Sequence, residues 1–176
     1  MITVCIIKFF KEMKKRRRDR IYEGPCEDGG VVKRSQADVP KTINSTELVS
    51  FSCRFSTLSL IDLEPPLSHC VYSFSATVKE GKAICTLSAQ RRQEGSFNKE
   101  LTREVKFMDE LEKLLRSYEV AKFNGYYHSV SGLPSFYGCT LDAKFASGEN
   151  VHFYDNQDTL LGCDFITALY KLFDVK

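Results

Sequence analysis

The residues best suited to chemistry in this chain lie close together in sequence. Tyr126, Tyr127 and His128 are consecutive, and Ser129 and Ser131 follow them. An imidazole can donate or accept a proton near neutral pH, and phenol and hydroxyl groups can hydrogen-bond an anion. We therefore predict that these five side chains contact a ligand or partner. The alternative is that the two tyrosines pack the segment onto a sheet and that His128 caps a turn.

No motif around these residues identifies a reaction. Ser131 does not lie in a G-x-S-x-G nucleophile elbow, because Ser129 and Leu133 occupy the two flanking glycine positions. The chain has no P-loop, no G-x-G-x-x-G and no EF-hand loop, and the acidic cluster at 155–158 is interpreted as turn and capping residues. We assign no catalytic residue, metal ligand or cofactor. An enzyme that uses His128 as acid or base remains an alternative.

The other two histidines are predicted to be solvated. His69 and His152 fall on the outward phase of predicted strands. A histidine on the polar phase of a half-buried strand usually faces water, so neither is taken as a site residue.

The predicted contact residues lie in a loop, residues 120–138, between the clearest helix and the clearest hairpin. The helix covers 108–119, where apolar residues recur at helical spacing and the first turn is acidic. The hairpin follows at 137–146, with a return strand through residues 151–153, because apolar and polar residues alternate there. Gly132 and Pro134 are expected to bend the loop between them.

The remaining elements indicate an α+β fold. Alternating residues predict four earlier strands, at 47–55, 69–79, 82–89 and 100–107. The second and third are joined by a turn at Glu80-Gly81, the fourth is an edge strand protected by its charges, and 90–99 is a polar loop. A final helix runs from about residue 160 or 164 to 174. We predict an antiparallel sheet of five or six strands with two helices packed on one face and the other face exposed to water.

The first 45 residues differ in charge from the rest of the chain. They carry 11 Lys/Arg and 6 Asp/Glu, whereas residues 46–176 carry 14 and 17. Residues 1–20 combine apolar residues at helical spacing with a basic block, Lys14, Lys15, Arg16, Arg17 and Arg18. We predict a disordered basic tail and linker over residues 1–45 and one α+β domain over 46–176. A tail of this kind could instead contact an anionic membrane surface or, as the least favoured alternative, the phosphates of a nucleic acid.

Seven cysteines are present, and none forms a pair at zinc-site spacing. Several of them fall among apolar strand positions, where a free thiol packs as a small hydrophobic group. We predict reduced thiols and a cytoplasmic protein. A disulfide framework in a secreted protein is the alternative.

Three stretches of the chain resemble an uncharacterised protein family of gut Firmicutes. They are residues 39–57 (VPKTINSTELVSFSCRFST), 121–150 (AKFNGYYHSVSGLPSFYGCTLDAKFASGEN) and 164–173 (DFITALYKLF). The family shows a similar K-x-N-G-x…V-x-G-L-P segment before a hairpin and a similar closing helix. The resemblance spans about residues 39–173 and implies a bacterial origin and a recurring fold. It implies no catalytic residue.

Together these patterns predict a non-enzymatic binding or protein-interaction module. Its contact surface is expected to be the 120–138 loop and the exposed sheet face. The partner is an unspecified protein or small ligand, no cofactor is expected, and nucleic acid is not expected as a partner. The alternatives are a membrane-surface protein tethered by residues 1–20 and the His128 enzyme.

Overall fold

The structure of the chain is a computed structural model that describes residues 30–57, 71–90, 96–132 and 138–174. The basic block Lys14–Arg18, the amphipathic pattern at 1–20 and His69 lie outside the described residues. The hypotheses of a membrane or phosphate contact through the tail therefore stay predictions.

Within the described residues, eight strands form one mixed sheet. They are β1 (Val31–Ser35), β2 (Leu48–Ser56), β3 (Val71–Lys79), β4 (Lys82–Gln90), β5 (Ser96–Glu104), β6 (Tyr126–Val130), β7 (Cys139–Phe145) and β8 (Asn150–Asp155). Their order across the sheet is β1-β6-β8-β7-β2-β3-β4-β5. The β6 and β8 strands are parallel, and the other neighbours are antiparallel. The α+β class is confirmed, but the predicted sheet of five or six antiparallel strands is wrong in strand number and in this parallel pair.

The two predicted helices are present with slightly different bounds. Helix α1 covers Lys106–Ser117 and helix α2 covers Cys163–Asp174. A short 3-10 helix, Val120–Phe123, follows α1. Among the described residues, no helix is both long enough and apolar enough to cross a membrane.

Both helices share one core with the inward face of the sheet. The ring of Phe173 on α2 lies 5.0 Å from the ring of Phe74 and 6.5 Å from that of Phe51, which are inward residues of β3 and β2. Phe107 of α1 packs edge-on against the same Phe173 ring at 5.1 Å. Each buried aromatic of this kind contributes about 1.5–3 kcal/mol through burial alone. The helices therefore cover one face, and none of the helices in the described ranges packs on the other, which we call the open face.

Two strands were not predicted from the sequence. Strand β1 lies inside the stretch predicted as a linker, and it pairs antiparallel with β6. Strand β6 lies inside the predicted 120–138 loop. Neither VVKRS nor YYHSV alternates between apolar and polar residues, so the period-two signal fails, although valine and tyrosine favour strands. Residues 31–35 and 126–130 are thus part of the sheet.

The predictions for the hairpin and the edge strand are largely confirmed. Glu80 and Gly81 both have positive φ, 49° and 73°, and form the β3–β4 turn. Strand β5 lies at one edge of the sheet, as predicted, while β1 lies at the other. The β5 strand begins at Ser96, within the predicted 90–99 loop, and the chain is already helical at Lys106.

Residues 36–46 form a connecting segment that is fastened by polar contacts. The guanidinium group of Arg116 donates to the carbonyls of Ile43 at 2.8 Å and Ser45 at 3.1 Å. The carboxylate of Glu149 accepts the amides of Asn44 at 3.0 Å and Ser45 at 2.8 Å. These hydrogen bonds lower the pKa of Glu149. The segment is therefore held to helix α1 and to the β7–β8 turn.

Candidate functional site

Strand β6 divides the five predicted contact residues between two faces. Successive side chains of a strand point to opposite sides. Tyr126 and His128 take the phase of the core, whereas Tyr127 and Ser129 take the phase of the open face. Ser131 follows the strand and is exposed, and its amide donates to the carbonyl of Gly30 at 2.9 Å. The structure therefore does not unite the five residues on one surface.

On the core side, Tyr126 and His128 meet a buried carboxylate. Nδ1 of His128 lies 3.1 Å from Oδ2 of Asp155, and the Tyr126 hydroxyl donates to the same oxygen at 3.4 Å. The second oxygen of Asp155 accepts the amides of Gln157 at 2.8 Å and Asp158 at 2.9 Å. The side chain of Asp155 is only 2% exposed, and these four hydrogen bonds satisfy both of its oxygens. Asp155 thus forms the turn predicted for it and also fixes His128, which the sequence did not predict.

Burial and the neighbouring Asp155 both change the pKa of Tyr126. Burial raises the pKa of the Tyr126 phenol, and the negative charge of Asp155 raises it further. The phenol therefore stays protonated at neutral pH and serves as a hydrogen-bond donor.

The parallel β6–β8 pair is extended by the side chain of Asn156. Its Oδ1 accepts the amide of Val130 at 2.9 Å, and its Nδ2 donates to the carbonyl of Val130, also at 2.9 Å. The carboxamide thus satisfies the two backbone groups of Val130 that a further residue of β8 would otherwise pair with. Beside it, Gly138 approaches the end of β8 so closely that a Cβ atom there would lie 1.9 Å from the carbonyl oxygen of Asp155.

On the open face, a groove of about 600 Å³ lies at the β1 end of the sheet. We call it the open-face groove, and its lining residues are Arg34, Gln36, Val39, Asn124, Gly125, Tyr126, Tyr127, Asp142, Asn150 and His152. They come from strands β1, β6, β7 and β8, from the connecting segment, and from the two residues between the 3-10 helix and β6. Of the five predicted contact residues, Tyr127 lines the groove from the open face, and Tyr126 borders it although its side chain takes the phase of the core.

Three side chains form a row across neighbouring strands beside this groove. Arg34 of β1 is opposite Tyr127 of β6, and Tyr127 is opposite Tyr154 of β8. The two tyrosine rings stack with centroids 5.1 Å apart and planes at 23°. The guanidinium carbon of Arg34 lies 5.9 Å from the centroid of the Tyr127 ring. Cross-strand packing of this kind fixes the rings and the guanidinium group in place.

The opposite wall of the groove carries a second histidine–aspartate pair. Nδ1 of His152 lies 2.7 Å from Oδ1 of Asp142 on the neighbouring strand β7. Both side chains are about half exposed, at 50% and 44%. His152 faces outward, as predicted, but it is hydrogen-bonded to a carboxylate and lines a concave surface.

Asn124 and Gly125 shape the base of the groove. Asn124 is 4% exposed, and its side chain hydrogen-bonds backbone groups of three residues. Its Nδ2 donates to the carbonyls of Pro40 and Asn150, and its Oδ1 accepts the amide of His152, each at 2.9 Å. Gly125 has φ +73°, and a Cβ atom there would lie 2.6 Å from the side chain of Val39. The same two residues form the N-G of the K-x-N-G pattern noted in the sequence. The asparagine is required for its three hydrogen bonds, and the glycine for its positive φ and its lack of a side chain.

The buried cysteines are not suited to nucleophilic chemistry. Burial raises the pKa of Cys139 to about 12 and that of Cys85 to about 11. The thiol of Cys53 is likewise buried with a raised pKa. These three and Cys163 carry free thiols, as predicted for the cysteines that the structure describes. In the described ranges, no group of three or more His, Cys, Asp or Glu side chains could hold a metal ion.

Three residues that line the open-face groove were not predicted as site residues from the sequence. Arg34 was assigned to a linker, Asp142 to the solvated phase of a strand and Asn124 to an uninterpreted loop position. The signal that could have found Asn124 was the Asn-Gly pair, which often marks a residue with positive φ next to a side chain that bonds backbone groups. Arg34 carried no such signal, because its role depends on pairing with a distant strand.

Comparison of the chain with protein-family models, with curated proteins and with solved structures found no match. The resemblance to a family of gut Firmicutes therefore stays a prediction.

Proposed function

We propose that this chain is a non-enzymatic binding module that holds a small ligand in the open-face groove. One observation carries the proposal: a concave site of about 600 Å³ combines exposed aromatic surface with convergent polar groups. Ligand pockets commonly have volumes of about 300–1,000 Å³ and a few polar groups that fix orientation. Here these groups are the guanidinium of Arg34, the Asp142–His152 pair and the amides of Gln36 and Asn150.

The construction of the groove supports recognition rather than turnover. Its aromatic wall is stacked and its base is held by the three hydrogen bonds of Asn124. Preorganised walls reduce the entropy that a ligand must lose on binding. His128, whose imidazole is oriented by a buried carboxylate, is not among the residues that line the groove.

A fragment titration with a matched pair of variants tests this function. Small polar compounds are added to the 15N-labelled chain, and the amide signals of groove residues are followed by NMR. Tyr127→Ser should abolish the response, whereas Tyr118→Ser should preserve it. The two tyrosines are similarly exposed, at 38% and 36%, but Tyr118 lies at the end of helix α1 and outside the groove. Thermal denaturation of both variants checks that they fold.

The proposal fails if no compound shifts the groove signals. It also fails if the two substitutions have the same effect on binding, since the response would then not depend on the aromatic wall of the groove.

A second candidate is an enzyme that uses His128 as general acid or base. The observation that favours it is the 3.1 Å contact between His128 and the buried Asp155. A carboxylate in this position holds an imidazole in one orientation, as the aspartate of a catalytic triad does. Hydrolysis of simple esters and phosphoesters should then be lost in His128→Gln and retained in His152→Gln. Equal activity of these two variants and the unmodified chain removes this candidate.

A further inference from the structure

The guanidinium of Arg34 is the cation that an incoming ligand would meet in the open-face groove. It is held over one face of the Tyr127 ring, whose other neighbour across the sheet is Tyr154. Arg34 and Tyr154 therefore already pack against the faces of the Tyr127 ring. What remains for a ligand is the hydroxyl-bearing edge of the rings and the N–H edge of the guanidinium plane.

The groove lining contains one guanidinium group, that of Arg34, and one carboxylate, that of Asp142. The carboxylate of Asp142 is engaged by His152 at 2.7 Å. Arg34 contacts an aromatic ring, and within the stretches of chain described by the structure no carboxylate forms an ion pair with it. The groove thus offers one oriented guanidinium group that, among the described residues, is not held in an ion pair.

A planar guanidinium group presents parallel N–H donors that match the two oxygens of a carboxylate. Stacking on Tyr127 lowers the entropy lost when that fork binds, because the group is already oriented. A dianionic phosphate fits less well, since Arg34 is a single cation and the carboxylate of Asp142 lies in the same groove. The amides of Gln36 and Asn150 can hydrogen-bond the remainder of the ligand.

We infer that the ligand of the open-face groove is a small carboxylic acid bound in its ionised form through Arg34. This inference depends on the proposed function, because it names the ligand class for the same groove. Arg34 is the anchor, Tyr127 positions it, and the Asp142–His152 pair supplies hydrogen bonds on the opposite wall.

The experiment compares acids with their uncharged amides on the full chain. Acetate, succinate, citrate, glutamate and benzoate are titrated by NMR, each beside the corresponding amide, and inorganic phosphate is titrated as a further anion. At least one acid should bind in the groove more tightly than its amide and than phosphate. A hydrogen bond between charged groups accounts for about tenfold to hundredfold in affinity, so Arg34→Gln should weaken binding of that acid by this factor.

Arg54→Gln provides the matched control. Arg54 is also exposed on the open face, on strand β2, but it does not line the groove. The Arg54→Gln substitution removes the same charge as Arg34→Gln and should leave the affinity for the acid unchanged. Arg34→Lys should restore only part of the lost affinity, because an ammonium group keeps the charge without the fork.

The outcomes separate the two proposals. If neutral fragments bind in the groove while no acid outcompetes its amide or phosphate, the binding function stands and the carboxylate inference is overturned. The inference is also overturned if Arg34→Gln and Arg54→Gln weaken acid binding equally, because the effect would then be general electrostatic attraction. If neither acids nor neutral fragments shift the groove signals, both proposals fail.

Discussion

Replacement of Asn124 by alanine should destabilise the protein strongly, although asparagine is a small polar residue. The side chain is 4% exposed and makes three hydrogen bonds to backbone groups of Pro40, Asn150 and His152, each at 2.9 Å. A typical protein hydrogen bond contributes about 0.5–1.5 kcal/mol net, so three of them contribute about 1.5–4.5 kcal/mol. We expect a loss of about 3 kcal/mol in the free energy of unfolding.

Urea unfolding measures this loss. Domains commonly have total stabilities of about 5–15 kcal/mol, so the substitution should remove a large fraction. With a urea m-value of about 1–3 kcal/mol per molar, the midpoint should fall by about 1–3 M. An unchanged m-value would show that the denatured state is unaffected.

Asn98→Ala is the control for this experiment. Asn98 lies on the exposed phase of edge strand β5, and a surface substitution of this type usually changes stability by less than about 0.5 kcal/mol. If Asn124→Ala and Asn98→Ala unfold at the same urea concentration, the three hydrogen bonds do not hold the base of the groove and the reasoning is refuted.

Three further predictions follow from the described contacts. Gly138→Ala should lower stability by about 1–3 kcal/mol in urea unfolding, because its Cβ would lie 1.9 Å from a backbone carbonyl oxygen; Gly162→Ala, which meets no atom within 4 Å, should cost less than half as much, and equal losses would contradict the steric argument. The pKa of Glu149 is lowered by the amides that it binds, so its contribution to stability is present above the ordinary carboxyl pKa of about 4.3 and is lost as the pH falls through the lowered value. Acid unfolding of Glu149→Gln should lack this component, and identical pH profiles for the two chains would refute it. Among the described thiols, Cys163 should react with iodoacetamide much faster than Cys139 at pH 7.5, because burial raises the pKa of the latter to about 12; peptide mapping by mass spectrometry checks the order, which should disappear in denaturant.

The sequence was informative where hydrophobic periodicity is strong. The alternation in β2, β3, β4 and β7 and the apolar stripe of helix α1 follow directly from which side must be buried. Strand β1 at the edge of the sheet and strand β6 beside it lack that signal, because little apolar surface is covered at this end of the sheet. Their pairing depends on partners far away in the chain, and a single sequence does not record such partners.

The candidate site was foreseen only in part for the same reason. Tyr127 was predicted as a contact residue, and it does line the open-face groove. His128 was predicted beside it, but one residue along a strand places a side chain on the opposite face, where it meets Asp155. Arg34 and Asp142 complete the groove only through strand order, which short-range patterns do not contain.

The strand order also has a consequence for how the protein folds. Strands β3, β4 and β5 pair with their neighbours in sequence, so each pairing closes only a short loop. Strand β1 pairs with β6, where Val31 stands opposite Val130, and this pairing requires a large part of the chain to be already ordered. The open-face groove spans β1, β6, β8 and β7, and we therefore expect it to form only after this non-local pairing, which should be slower than the local pairings. A ligand that binds there would stabilise the completed sheet against loss of its β1 edge and would leave the local β3–β4–β5 meander unaffected.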